Sequence, residues 1–283
     1  MFFQKYRFGF SIIAVICLCA GLFSLARYVG LLELNSSVPG DLARAVYGPD
    51  VRREMRRLQT VKETSPGIPA VTVLCYHEVR PDRKDDIFNV HPEIFRRHIR
   101  EFKEAGYTFI GVGDLLQGMD GKEPLPEKAA IITFDDGYAD NYRYAYPILL
   151  QERVPAAFFM VSGAVGRDNR MTADELREMQ DSGMVIGSHT VRHENLEGMD
   201  DEAIDFELRV SKETLEKVLG KPVYALAYPG GKINKNVQDT AEKYYDMAFV
   251  AKVSPEKSQT AYTLQRYGVF NWNDHIESIF RNR

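Results

Sequence analysis

The chain has 283 residues, 45% of them hydrophobic, enough for one sizeable core and little more than a tail beyond it. A formal net charge of -4 leaves no electrostatic footprint for nucleic acid, and polyanion binding is set aside. Six histidines and three cysteines include no Cys-x-x-Cys pair, which argues against a thiolate zinc site or a disulfide framework.

The first element is apolar. Phe8 to Ala26 carries no charge, follows Lys5 and Arg7, and is long enough to cross the hydrocarbon layer as a helix. It outruns a secretory h-region and shows no Ala-x-Ala-like cleavage site, so residues 1–34 are expected to be a cytoplasmic tail and uncleaved membrane anchor. Cys17 and Cys19 lie inside it, preceded by Ile16 and Leu18 rather than the small residue of a lipoprotein site. Arg27 and Arg44 stand close on the far side, so charge alone does not fix the orientation. Residues 35–68 read as a polar linker, a solvated spacer whose centre, DVRREMRRLQTVKE, suits a charged helix.

Residues 69–283 then alternate buried strands with amphipathic helices. Val71 to Tyr76, Ala129 to Phe134, Ala156 to Val161, Met184 to Ser188, Ala225 to Tyr228 and Met247 to Val250 are short apolar runs. Between them PEIFRRHIREFKEAG, NYRYAYPILLQERV, TADELREMQDSG and DEAIDFELRVSKETLEKVLG read as helices, the third opening on a Thr172/Glu175 capping box. Such alternation implies a parallel sheet, doubly wound or closed into a barrel, with chemistry where the strands end.

The strand ends carry Tyr76-His77-Glu78, Asp135-Asp136, SHTVRH with His189 and His193, and Tyr228-Pro229-Gly230-Gly231. Two histidines four apart plus a carboxylate from another strand suit a divalent metal with open positions. A cation would also explain why a buried strand delivers two adjacent carboxylates, one as ligand and one left ionised as a base. Alone, the His pair is an ordinary surface or core feature and Asp135-Asp136-Gly137 an ordinary cap or turn; together at strand ends they point to a site. Cys75 reads as a small buried hydrophobe, and His91 and His98 as satisfied surface groups.

TFDDGY followed by SHTVRH resembles the first two motifs of the polysaccharide deacetylase family, carbohydrate esterase family 4. The resemblance covers roughly Val71 to Val269 and implies a distorted (β/α) barrel with fewer than eight strands. It makes Asp135 the general base and Asp136, His189 and His193 the ligands of a divalent metal, usually zinc, with cobalt, nickel or manganese as alternatives. Where the family has Arg-x-Pro-Tyr this chain has AYPGG, leaving no arginine there to orient the base. LCYHEV, ahead of the Asp-Asp motif, resembles the branch acting on poly-β-1,6-N-acetylglucosamine, in which an early histidine is the general acid. That makes His77 the acid, with His275 its rival.

The expected reaction is hydrolysis of N-acetyl groups from an extracytoplasmic N-acetylglucosamine polymer. A metal brings the pKa of bound water to about 7, Asp135 takes its proton, and His77 protonates the leaving amine from the opposite side of the substrate. The N–H of Gly230 is the candidate oxyanion donor and Tyr228 the candidate sugar-stacking ring, whereas Tyr138 and Tyr142 read as structural. A peptidoglycan or chitooligosaccharide deacetylase is the alternative, and a glycan-binding protein without turnover is the alternative of another class. A glycan of this kind implies a single-pass protein with its catalytic domain outside the cell membrane.

Overall fold

The computed structural model of the protein describes residues 71–251 and 259–281. The expected anchor and linker lie outside them, and among the described residues no helix is long and apolar enough to cross a membrane. In chain order the elements begin with β1 (Val71–Tyr76), β2 (Glu78–Val79), β3 (Asn89–Val90), α1 (Pro92–Glu104), β4 (Thr108–Phe109) and α2 (Val112–Met119). They continue with β5 (Ala129–Phe134), a π-helical turn (Asn141–Ala145), α3 (Tyr146–Glu152), β6 (Ala156–Met160), α4 (Ala173–Asp181), β7 (Val185–Ser188) and α5 (Asp201–Leu219). Last come β8 (Ala225–Ala227), α6 (Lys235–Tyr244), β9 (Met247–Val250), β10 (Leu264–Gln265), β11 (Tyr267–Gly268) and α7 (Ile276–Ile279).

The helices start and stop for local reasons. Thr172 and Glu175 form the reciprocal capping box of α4, each side chain accepting from the other's backbone N–H. Asp200 caps α5, which ends at Gly220 in the left-handed region (φ 66°), where a side chain would be strained.

The strands pair in parallel in the order β10-β9-β8-β7-β6-β5-β1-β11, with β4 added on β5. The two ends of this series are neighbours in the chain, because β10 pairs with β9, β11 pairs with β1, and only Arg266 separates them. The sheet therefore curls into a nearly closed barrel whose seam is residues 264–268.

Side-chain alternation divides the core in two. Val73, Ile131, Ala157, Phe159, Ala225, Ala227, Met247 and Phe249 form an inner cluster, joined by Val112 and Leu115 of α2. Leu74, Tyr76, Ile132, Phe134, Phe158 and Tyr228 face the other way, into the layer beneath the helices. Register then lines up the strand ends: Tyr76 lies opposite Phe134 and Met160 opposite Ser188. Backbone bonds from Asp135 N–H to Tyr76 O (3.0 Å) and from His189 N–H to Met160 O (2.7 Å) carry the alignment one residue further. His77, Asp135 and His189 consequently emerge on one rim.

Candidate active site

Asp135 has the same parity as Ile131 and Thr133 and so turns into the barrel, where it is almost fully buried. Its two oxygens are each held at 2.7 Å by the two terminal nitrogens of Arg266, and Arg266 Nη1 also donates to Thr133 Oγ1. Burial alone would raise the carboxyl pKa, but the Arg266 guanidinium, aided by His189 and His77, holds it well below the usual carboxylate range. Oδ2 also accepts a weak bond from the Cys75 thiol (3.5 Å) and lies 3.8 Å from His189 Nε2, so it faces the neighbouring cluster. Cys75 is buried as expected, and that burial pushes its thiol pKa up and keeps it protonated.

The cluster is Asp136, His189 and His193, whose donor atoms gather within 4.8 Å of one another. His193 Nε2 stands 3.2 Å and His189 Nε2 3.5 Å from Asp136 Oδ1. His189 Nδ1–H donates to the Ala227 carbonyl (2.7 Å), which leaves the lone pair on Nε2, and burial lowers its pKa. Two imidazoles and a carboxylate converging in this way fit a divalent metal such as zinc, with positions left open.

The backbone here is strained. Asp136 (φ 70°), Thr190 (φ 66°) and His193 (φ 62°) all occupy the left-handed region, which non-glycine residues rarely adopt. Gly137 follows Asp136 with φ 73°, and a Cβ there would meet Met160 Cε at 2.2 Å. Glu207, fully buried on α5, pins the histidine loop by accepting from the Val191 and Arg192 N–H groups (2.8 and 3.0 Å) and from Arg192 Nε (2.6 Å).

His77 is half-buried on the other flank of Asp135, and one ring nitrogen lies within 4.8 Å of an Asp135 oxygen. Its Nδ1 is buried without a partner, and its ring packs 4.8 Å from that of Phe88. The segment after the Asp pair fixes its backbone: Asn141 Nδ2 donates to His77 O (2.8 Å), and Asp140 Oδ1 accepts from Val79 N–H (3.1 Å).

Several sequence expectations change. His77 and Asp135 stand side by side on the rim, because β1 and β5 are adjacent and in register. Tyr228 cannot stack on a sugar: it is fully buried, since Ala227 faces the barrel interior and alternation sends Tyr228 beneath the helices. Gly230 is exposed in the turn Pro229–Gly231 with φ 62°. His275 pairs with Glu101 of α1 (2.5 Å) and is not part of the Asp135 cluster. His98 is buried, not a surface group, and bridges Tyr76 OH (3.0 Å) and the Asn273 carbonyl (2.6 Å). His91 caps α1, and Tyr142 donates to Glu178. The arginine missing from AYPGG is supplied by Arg266, 39 residues past Ala227, the position the Arg-x-Pro-Tyr pattern would give it.

Beside Asp136 and His193 opens a cavity of about 450 Å³, lined among others by Tyr138, Arg167, Arg170 and Arg192.

Residues 122–248, which contain Asp135, Asp136, His189 and His193, match the family model described as polysaccharide deacetylase. The chain is 28% identical over 199 residues to YxkH of Bacillus subtilis, covering 70% of each. It is 29% identical over 134 residues to the poly-beta-1,6-N-acetyl-D-glucosamine N-deacetylase of Escherichia coli (strain K12), covering 41% of this chain and 20% of that one. A peptidoglycan-N-acetylglucosamine deacetylase of Bacillus cereus is 33% identical over 121 residues, 42% of this chain and 54% of that one. The chain thus spans a fifth of one of these two deacetylases and about half of the other. Among solved structures, the Streptococcus pyogenes deacetylase PplD in complex with acetate superposes with a TM-score of 0.67 at 25% identity, over 75% of this chain and 97% of that one.

Proposed function

The chain carries a domain of the polysaccharide deacetylase family, and from that premise we propose that it is a metal-dependent hydrolase removing N-acetyl groups from an N-acetylglucosamine polymer. The observation that carries this reading is the convergence of Asp136, His189 and His193 next to a buried carboxylate, Asp135, that is kept ionised by Arg266. A glycan-binding protein without turnover has no use for a base, three ligands and an acid on one rim.

Asp136, His189 and His193 would hold the divalent cation, zinc by donor type, or cobalt, nickel or manganese. When bound, the metal polarises the acetamide carbonyl and acidifies water toward neutral pH. Asp135 Oδ2, the oxygen facing the triad, takes the proton of the attacking water. Arg266 keeps the base deprotonated and fixed in orientation through both oxygens. As the carbon–nitrogen bond breaks, His77 gives a proton to the leaving amine nitrogen, and the Gly230 N–H is the candidate donor to the oxyanion. The products are acetate and a glucosamine residue.

For the substrate, the early Tyr76-His77 element and the Escherichia coli relative favour poly-β-1,6-N-acetylglucosamine. The Bacillus cereus relative supports peptidoglycan as the second reading. Either polymer is extracytoplasmic, and the apolar segment Phe8 to Ala26 would tether the domain outside the cell membrane. Acetate release by the full chain from β-1,6-N-acetylglucosamine oligomers, chitooligosaccharides and peptidoglycan tests the assignment. Release from the β-1,6 oligomer at the highest kcat/KM is the expected result; release only from another polymer overturns the linkage, and release from none overturns the reaction.

A further inference from the structure

The cavity beside the triad carries charge that the hydrolytic machinery does not use. Arg167 and Arg170 are three residues apart in a tight turn, closed by backbone bonds from Arg167 N–H to Ala164 O and from Arg170 N–H to Arg167 O, both 3.0 Å. Both line the cavity together with Asp136 and His193. Among the described residues neither makes an ion pair, whereas Arg192, on the same wall, is neutralised by the buried Glu207 at 2.6 Å.

Arg170 is the more constrained of the two. Its guanidinium carbon lies 4.0 Å over the Tyr138 ring, and Tyr138 and Arg170 are joined by an isolated antiparallel bridge. Stacking immobilises the guanidinium plane and leaves its edge as the donor surface. Its Nε is buried with no acceptor, and a buried donor without a partner is costly unless a ligand supplies one. Arg170 Nη1 donates to the Asn169 carbonyl at 3.4 Å, and the guanidinium also hydrogen-bonds the Tyr138 hydroxyl, which leaves Nε as the unmet donor. A planar fork with an unmet donor, a second cation three residues away and a volume of about 450 Å³ match a carboxylate bound on two parallel hydrogen bonds.

We infer that this cavity is a carboxylate-binding subsite, with Arg170 as its oriented fork and Arg167 as its second charge. The inference rests on the deacetylase reading only in its choice of probes. The carboxylate has two sources within that chemistry, an acidic substituent on a sugar next to the reacting acetamide, or the acetate product leaving past Asp136.

The test compares a disaccharide of N-acetylglucosamine and N-acetylmuramic acid, whose lactyl ether bears a carboxylate, with its methyl ester. Binding is measured by calorimetry and turnover by acetate release, for the full chain and for Arg167→Gln, Arg170→Gln and the double variant. Acetate is titrated separately as a competitor. A charge-assisted fork that is half-exposed is worth about a tenfold preference. The expected result is that the acid binds about tenfold more tightly than the ester and that the double variant abolishes the preference. If acid and ester bind alike but inhibition by acetate weakens about tenfold in the double variant, the carboxylate is the product's, and the subsite stands. Acid and ester bound alike, with acetate inhibition unmoved by both substitutions, overturns the subsite. Acid preferred in binding without turnover of any glycan keeps the subsite and overturns the deacetylase reading. Circular dichroism and the melting temperature of each variant exclude misfolding as the cause.

Discussion

Arg266 holds both oxygens of Asp135 inside the barrel, from the single position at which the chain crosses from one edge of the sheet to the other. The segment that closes the barrel therefore also sets the ionisation of Asp135. Thr133 and the Val250 carbonyl take further donors of the same guanidinium, and the rings of Phe159 and Phe249 flank it at 5.5 and 5.9 Å.

Removing one member of such a pair strands the other. Arg266→Met is expected to cost about 3–5 kcal/mol of stability, because Asp135 is left charged and uncompensated in the core. Asp135→Asn in the Arg266→Met background should restore much of that loss. Denaturant unfolding of the two single variants and the double variant measures the cycle, and additive losses would show that the pair is not the source.

Two buried groups outside the Asp136, His189 and His193 cluster pull stability in opposite directions with pH. Burial pushes the Asp140 carboxyl up to about 6, with the Glu78 charge adding to it, whereas burial pushes His98 down to about 4. Asp140 favours the folded state below its unfolded pKa of about 3.9, and that contribution is lost as pH rises to about 6. His98 favours the folded state above its unfolded pKa of about 6.5, and that contribution is lost as pH falls to about 4. The two slopes oppose each other between about pH 4 and 6, each amounting to roughly 2–3 kcal/mol. Asp140→Asn is expected to remove the first and leave stability rising with pH across the window; an unchanged pH profile of unfolding would contradict the assignment.

Glu207 acts on the site through the backbone. Glu207→Gln loses the charge that Val191 N–H, Arg192 N–H and the Arg192 side chain share, which frees the strained loop ending at His193. Zinc affinity should fall about tenfold, the low end for groups supporting a ligand, and Asp200→Ala, which removes the N-terminal cap of the same helix, should not reproduce it. Competition with a chromogenic chelator reads this directly.

Asn141 positions the acid candidate. Asn141→Leu frees the His77 carbonyl and is expected to lower kcat about tenfold or more with a smaller change in KM, since a displaced acid affects bond breaking more than binding. A change confined to KM would assign Asn141 to substrate binding instead.

Much of this was legible in the sequence because the apolar runs are continuous and end in chemistry. β1, β5 and β9 coincide with the runs read as strands, and the capping box of α4 is where Thr172 and Glu175 place it. The seam was not legible: β10 and β11 are two residues each, too short to show a period, and Arg266 between them looks like any polar loop residue. Glu207 carried a usable signal, an acid on the same helical face as Ile204, Leu208, Ser211 and Leu215, all buried. The burial of Tyr228 follows from strand parity: Ala225 and Ala227 share one face, so the next residue takes the other. Asp140 and Asn141 lie just past the motif, and only the fold shows that they reach back to Val79 of β2 and to His77 just after β1.

We propose that Asp135 is the base of a metal-dependent amide hydrolysis and not a ligand or a structural acid. Acetate release from an N-acetylglucosamine oligomer, measured for the zinc-loaded full chain and for Asp135→Asn with zinc content determined on the same samples, tests it most directly. About one zinc per chain is expected in both proteins, with release lost by a factor of at least about 100 in Asp135→Asn. Release that persists in Asp135→Asn at full zinc occupancy would contradict it.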